Sequence, residues 1–257
     1  MPSEQQPPLN VIIHGAGGAI GGAVAQEFAR QGAKLFLAGH REPPVHATAE
    51  KVRALGAEAH VSGVDAFSPV EVDAHTNAVA DLAGRIDVLL NAVEIPRVQG
   101  TPLLEMDADD VVAPAAAWLR TQFLTARSAA RYMVTQGSGT ILMLSASPAR
   151  LALAGVGGFS AACAAVEGLT RTIAAETGAA GVRTVCLRPH RIRETIGSTP
   201  DLPMGLEEFT RFLESLTTSG TLPTLGDVAR AAVFLATGGA ASMNGTVLNL
   251  TGGMSPD

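Results

Sequence analysis

Glycine residues follow the first apolar run of the chain at a spacing that suits phosphate binding. Residues 11–21 read VIIHGAGGAIG. Glycine lets backbone N–H groups approach a pyrophosphate, and a helix N-terminus favours its negative charge. Because a strand is predicted before this turn and a helix after it, we expect a phosphate site. Its predicted contacts are Gly15, Gly17, Gly18, Ile20 and Gly21. His14, just before the turn, either packs at the core edge or contacts the ligand.

A second group of ionisable residues lies late in the chain. Residues 187–195 read LRPHRIRET, which places His190 among three arginines. Guanidinium groups at the end of a strand suit a carboxylate or phosphate, although solvated loop charges are the plainer interpretation. An imidazole changes its charge near neutral pH, so His190 is a candidate acid or base.

Short apolar runs that alternate with helical patterns must position these residues. The predicted strands are 9–13, 34–38, 59–61, 87–90, 140–144, 184–187 and 247–250. The predicted helices are 19–30, 47–55, 70–83, 109–136, 159–177 and 227–236. Nearly all-apolar strands are typical of a parallel sheet covered on both faces. The pattern therefore predicts a doubly wound, mostly parallel α/β fold with helices on both faces.

The predicted organisation is a single domain at 9–257, preceded by a short disordered lead at 1–8. One insertion stands out around residues 195–224. It contains LEEFTRFLESL, an amphipathic segment with apolar residues at helical spacing. This insertion leaves from the end of a strand, where ligands bind in such sheets. It is either a substrate lid or an ordinary surface helix.

Composition excludes several classes of function. The chain has 257 residues, a net charge of −6 and no run of basic residues, which argues against nucleic-acid binding. No apolar stretch approaches the roughly 20 residues that span a bilayer. The polar N-terminus lacks a signal pattern, so we expect a cytoplasmic protein. The 2 cysteines and 6 histidines show no ligand spacing, so no metal is expected.

Residues 157–168, GGFSAACAAVEG, resemble the YSASKAAVxG segment of the short-chain dehydrogenase/reductase family. The end of the chain, GDVARAAVFLATGGAASMNGTVLNLTGG, is similar to that family's last helix and strand. The resemblance covers residues 9–253. It implies a Rossmann-type domain and, for an ordinary member, hydride transfer between a nicotinamide cofactor and a carbonyl compound.

The same resemblance implies that the usual catalytic set is replaced. Phe159 stands at the position of the family's tyrosine and Cys163 at that of its lysine, while Ala146 and Trp118 replace its serine and asparagine. A phenyl ring has no proton to give, and a thiol supplies no fixed positive charge. Cys163 is then either a nucleophile or, in the plainer interpretation, a small buried apolar residue.

Two polar residues remain as weak catalytic candidates, namely Ser147 and His190. Alternation along a strand turns the Ser147 side chain to the opposite side from position 146, which argues against a catalytic role for Ser147. His190 stands where the family has a glycine near the nicotinamide.

The glycine turn resembles the family's TGxxxGxG motif, with His14 for the threonine and Ala19 for a glycine. The second strand is followed by Gly39, His40 and Arg41, with no acidic residue for the ribose of NAD. This favours NADP(H), with Arg41 on the 2′-phosphate, unless Arg41 is merely solvated. His40 is expected to bind the cofactor beside it. Asp65 is expected at the adenine ring and Asn91, in NAVE for the family's NNAG, along the cofactor path.

Three functional hypotheses follow. The first is an oxidoreductase-like protein that binds a dinucleotide but lacks the standard chemistry, with a role as a ligand sensor as one form of it. The second is a working enzyme of altered chemistry, redox or not, which uses groups such as His190. The third is a non-catalytic partner subunit. The expected ligand is small, partly apolar and compatible with an anionic group. The resemblance also implies a homo-oligomer, a dimer or tetramer, with a mixed oligomer as the alternative.

Overall fold

Seven parallel strands form one sheet in the computed structural model, which describes residues 7–198 and 204–255. The strands are β1 (Asn10–His14), β2 (Lys34–Gly39), β3 (Ala59–Gly63), β4 (Val88–Asn91), β5 (Gly139–Leu144), β6 (Val182–Pro189) and β7 (Val247–Leu250). Their order across the sheet is β3-β2-β1-β4-β5-β6-β7. The order reverses between β1 and β4, as in a doubly wound sheet, and the predicted α/β fold class is confirmed.

The helices cover both faces of the sheet. They are α1 (Ala19–Arg30), α2 (Glu42–Ala54), α3 (Pro69–Ala83), α4 (Ala108–Gln136), α5 (Gly158–Thr177), α6 (Leu206–Ser215) and α7 (Leu225–Ala236). α2 begins well before residue 47, where the sequence pattern placed its start. Pro43 and Pro44 occupy its first turn, where the missing N–H groups break no intrahelical hydrogen bond.

Successive residues of a strand enter opposite halves of the core. Val11 and Ile13 of β1 pack on the side that includes Phe28 of α1 and Leu235 of α7. Ile12 packs on the other side, with Met133 of α4 among its cluster. All three β1 residues are fully buried. Period-two alternation with both faces apolar explains why the strands are apolar throughout.

The carboxyl ends of the strands collect the residues singled out by the sequence. The glycine turn follows β1, Asn91 ends β4, Ser147 comes shortly after β5, and His190 comes directly after β6. Since the strands are parallel, these residues share one edge of the sheet. β5 and β6 are neighbours in register, with Leu144 opposite Leu187. The fold therefore brings Ser147 and His190 close although they are far apart in sequence.

The insertion after β6 contains a short 3₁₀ segment, Arg193–Ser198, and then α6. Its residues 199–203 lie outside the described residues, as do residues 1–6 of the expected N-terminal lead. α6 is anchored through Leu213, which packs with Ile196 and Leu222. Among the described helices, none has the length and apolar character that crossing a membrane requires.

Candidate functional site

The turn after β1 has the backbone geometry that its glycines predict. Gly15 adopts a φ of +77°, and its N–H donates to the Ala38 carbonyl oxygen at 2.9 Å. A Cβ at Gly15 would lie 2.5 Å from the Ala92 carbonyl carbon. Glycine is therefore needed for both the left-handed backbone and the close approach of the segment after β4.

The N-terminus of α1 offers backbone donors to an anion. Gly18 is the N-cap, no side chain caps this end, and the first turn contains no acidic residue. Gly18 and Ala19 are exposed. The first N–H groups of a helix lack intrahelical acceptors and carry the positive end of its dipole. These features fit a pyrophosphate group.

Arg41 stands beside this turn. It is the N-cap of α2, is exposed, and takes part in no ion pair among the described residues. A Cβ at Gly17 would lie 2.9 Å from the Pro44 side chain, so the first turn of α2 packs against the glycine turn. The backbone thus places Arg41 near the predicted phosphate site, and His40 is exposed next to it.

Asp65 and Asn91 are both engaged with the backbone near the same edge. The Asp65 carboxylate accepts the Phe67 N–H at 2.9 Å. Asn91 is buried, donates to Thr125 Oγ1 at 3.0 Å, and accepts the Val93 N–H at 3.0 Å. Both side chains therefore fix loops at the strand ends, and their direct contact with a cofactor stays a prediction.

The four positions that the resemblance assigned to catalysis form an apolar group. Trp118 stacks on Phe159, with ring centroids 5.3 Å apart and planes 9° from parallel. Trp118 and Cys163 are buried, and Ala146 packs against the same cluster. The guanidinium carbon of Arg97 lies 4.8 Å from the Phe159 ring centroid, within cation–π range. Arg97 carried no motif that would have singled it out in the sequence.

Cys163 is a poor nucleophile in this environment. Burial in the apolar cluster raises the pKa of its thiol to about 12. A thiol with that pKa is almost entirely protonated at neutral pH, whereas the thiolate is the reactive form. The geometry therefore supports the interpretation of Cys163 as a small buried apolar residue.

Ser147 and His190 form a buried hydrogen-bonded pair. Ser147 Oγ lies 2.7 Å from His190 Nδ1. Strand alternation does not govern Ser147, because β5 ends at Leu144 and a 3₁₀ turn begins at Ser147. Burial, and secondarily the charge of Arg191, lowers the pKa of His190 to about 4. The imidazole is therefore neutral near pH 7, with its other nitrogen, Nε2, buried and without a hydrogen-bond partner in the described residues.

The arginines near His190 have different surroundings. Arg188 is 1% exposed and its Nη1 lies 3.4 Å from Glu167 Oε2. Ser145 Oγ donates to the other Glu167 oxygen at 2.9 Å. Arg193 instead reaches Glu214 of α6 at 2.6 Å. The Glu167 interactions were missed at the sequence level, since nothing in the local pattern links Ser145, Glu167 and Arg188.

Arg191 shares an electrostatic environment with Arg97. Burial, and then the positive charge of Arg97, lowers the pKa of the Arg191 guanidinium. Arg97 also acts electrostatically on Cys163. Two cations thus border the edge that carries His190 and Phe159.

His14 packs inside the protein. It is 1% exposed and makes an edge-on ring contact with His75, with centroids 5.4 Å apart. Burial, and then the charge of His75, lowers the pKa of His14 to about 3, and burial lowers that of His75 to about 4. This placement favours a packing role. Within residues 7–198 and 204–255, no group of three or more metal-ligating side chains converges.

Comparison with known proteins identifies the family to which this chain belongs. The family model described as enoyl-(acyl carrier protein) reductase matches residues 15–255. The chain belongs to the short-chain dehydrogenase/reductase family. This membership confirms the resemblance predicted from residues 157–168 and from the end of the chain.

Individual relatives match along nearly their whole length. The chain is 30% identical over 250 residues to D-threitol dehydrogenase of Mycolicibacterium smegmatis, covering 94% of this chain and 91% of that protein. Gluconate 5-dehydrogenase from Burkholderia cenocepacia, solved with NADP and tartrate, has a TM-score of 0.85 and 25% identity, with 97% and 96% coverage. An NAD+-bound xylitol dehydrogenase, at 19% identity and TM-score 0.85 with 93% and 96% coverage, shares the fold. All three of these proteins are dehydrogenases by name.

Proposed function

We propose that this protein binds a nicotinamide dinucleotide, with a preference for NADP(H), and does not carry out the tyrosine-dependent ketone reduction of an ordinary family member. The observation that carries the proposal is the Trp118–Phe159 stack beside the protonated Cys163 thiol. It occupies the place where the resemblance implies an acid–base set.

Support for dinucleotide binding comes from the glycine turn. The uncapped, exposed N-terminus of α1 suits the pyrophosphate, and Arg41 suits a 2′-phosphate. Relatives solved with NADP and with NAD+ add to this support. A bound cofactor of this class supplies or accepts a hydride. The chain itself contributes the phosphate cradle, the apolar stack and the hydrogen-bonding pair at His190.

The absence of a general acid at position 159 should slow the reduction of ketones. A positioned general acid is typically worth 10²–10⁴-fold in rate. Phe159 has no ionisable proton, and His190, whose pKa is about 4, is almost wholly unprotonated at pH 7. Neither side chain can therefore replace the tyrosine as a proton donor for simple ketones.

The test is a turnover assay with the wild-type chain. We expect NADPH to bind but ketones such as cyclohexanone and acetophenone to cause no measurable NADPH oxidation above the background without ketone. Turnover of about 1 s⁻¹ or faster, in the range of ordinary enzymes, would show that the standard chemistry persists.

Cofactor preference gives a separate prediction. Arg41→Ala should weaken NADPH binding about tenfold or more and leave NADH binding nearly unchanged, because only NADPH has the 2′-phosphate. Titration calorimetry with both cofactors measures the ratio. Lys51→Ala, an exposed change on the same helix, is the matched control and should leave the ratio unaltered. An unchanged ratio in Arg41→Ala would remove Arg41 from the site.

Assembly into a homo-oligomer, a dimer or tetramer, belongs to the same proposal. α4 leaves Val112, Phe123 and Val134 substantially exposed. Apolar side chains of this size on one long helix favour contact with another subunit. Native mass spectrometry of the purified protein distinguishes a dimer or tetramer from a monomer.

A further inference from the structure

We propose that the Ser147–His190 pair, with Arg97, forms a binding pocket for a small carboxylate that carries a carbonyl or hydroxyl oxygen beside an apolar group. The inference deepens the proposed function, on which it rests, since it names a ligand class for the same edge of the sheet. The carboxylate is assigned to Arg97, the oxygen to His190 Nε2, and the apolar part to the Trp118–Phe159 stack.

The first support is the geometry of the pair. Ser147 Oγ and His190 Nδ1 are 2.7 Å apart, and both residues are buried at the ends of neighbouring strands. A hydrogen bond to one imidazole nitrogen fixes the ring orientation and the role of the other nitrogen. Ser147 therefore presents His190 Nε2 in a defined direction, as either a donor or an acceptor according to the tautomer.

The second support is the unsatisfied state of that nitrogen. His190 is 9% exposed, and its Nε2 has no hydrogen-bond partner in the described part of the chain. A buried polar atom left without a partner costs about 1–3 kcal/mol. Trp118 Nε1 is likewise buried without a partner in the described residues. Ligand oxygens that reach these atoms by displacing the protein atoms that now shield them from solvent would satisfy them.

The third support is charge. Arg97 lies over the Phe159 ring and is electrostatically coupled to both Arg191 and Cys163. Its ion pair with Glu94 is long, 3.8 Å, and the Glu94 side chain is 88% exposed, so solvent screens that attraction strongly. A carboxylate beside Phe159 would meet the Arg97 guanidinium in a better shielded environment than the Glu94 carboxylate does.

The fourth support is shape. Phe159 is half-buried, with Trp118 stacked on its ring and the Arg97 guanidinium lying over the ring, so the part of Phe159 that stays exposed is the apolar surface open to a ligand. Stacked aromatic rings provide an apolar wall against which a phenyl or branched aliphatic group packs. Phenylpyruvate combines the three required features, and phenylacetone is the same skeleton without the carboxylate.

The experiment compares these two compounds on the full wild-type chain, with and without NADP+, by titration calorimetry. We expect phenylpyruvate to bind about tenfold more tightly than phenylacetone, as one charge-assisted contact provides. Arg97→Gln should abolish this difference. Arg171→Gln, the same change on the exposed face of α5, should preserve it.

A second readout follows His190 itself. In protein labelled with ¹⁵N at histidine, we expect the His190 Nε2 resonance to move when phenylpyruvate is added. Ser147→Ala, a small change, should weaken phenylpyruvate binding several-fold by releasing the imidazole. Equal or undetectable binding of the two compounds, a difference that survives in Arg97→Gln, or an unmoved His190 resonance would each overturn the proposal.

The two proposals fail separately in this experiment. Phenylpyruvate binding without any NADP+ binding would leave the pocket standing and overturn the dinucleotide proposal. NADP+ binding without selective phenylpyruvate binding would overturn the pocket and leave the dinucleotide proposal standing.

Discussion

Glu167→Leu is expected to lower the free energy of unfolding by about 3–5 kcal/mol, the typical cost of breaking a buried ion pair. The Glu167 side chain is 7% exposed and lies against Arg188, which is 1% exposed. Leucine would remove compensating negative charge from this guanidinium and would also leave the Ser145 hydroxyl without its acceptor. Urea denaturation at pH 7, followed by far-ultraviolet circular dichroism, measures the change.

Glu176→Leu is the matched control, because Glu176 lies on the same helix but is exposed. It should change the free energy of unfolding by less than about 0.5 kcal/mol. A loss below about 1 kcal/mol in Glu167→Leu would mean that the pair contributes no more than a surface ion pair does.

Acid is expected to destabilise the protein through its buried histidines. His14 has a folded-state pKa of about 3, well below its ordinary value of 6.5. Between about pH 6.5 and pH 3 the unfolded chain therefore binds a proton at this position that the folded chain does not. The contribution of His14 to the free energy of unfolding is therefore complete above pH 6.5. It decreases by about 1.4 kcal/mol for each pH unit as the pH falls.

His14→Leu isolates this contribution, since it removes the titrating group from an apolar site. The wild type should lose stability more steeply than the variant between pH 6 and pH 4, by about 1.4 kcal/mol per pH unit. His46→Gln, at an exposed histidine, should keep the wild-type slope. Parallel stability curves for the wild type and His14→Leu, measured by urea denaturation, would contradict the burial argument.

The fold was largely predictable because its signal is local. Short all-apolar runs alternating with amphipathic stretches require a covered parallel sheet, and every predicted strand and helix has a counterpart in the structure. The start of α2 was misplaced, because Pro43 and Pro44 look like helix breakers unless they occupy the first turn. Residues 199–203 of the expected lid lie outside the described part of the chain.

The site was only partly predictable because its contacts are distant in sequence. The glycine turn carries its own local signature. Ser147 and His190, however, are 43 residues apart, and only the pairing of β5 with β6 brings them together. The alternation of side chains along a strand predicted that Ser147 faces away from position 146. That rule does not apply to Ser147, because β5 ends at Leu144. Arg97 lies in a loop without any motif, so only its position over Phe159 reveals it.

Titration of the wild-type chain with NADPH and NADH tests the dinucleotide proposal most directly. Calorimetry gives both affinities, and fluorescence of the single tryptophan, Trp118, reports on the surroundings of the Trp118–Phe159 stack. We expect NADPH to bind with a dissociation constant of roughly micromolar size and more tightly than NADH. Absence of binding by either cofactor at about millimolar concentration would contradict the proposed function and leave the glycine turn as a structural element only.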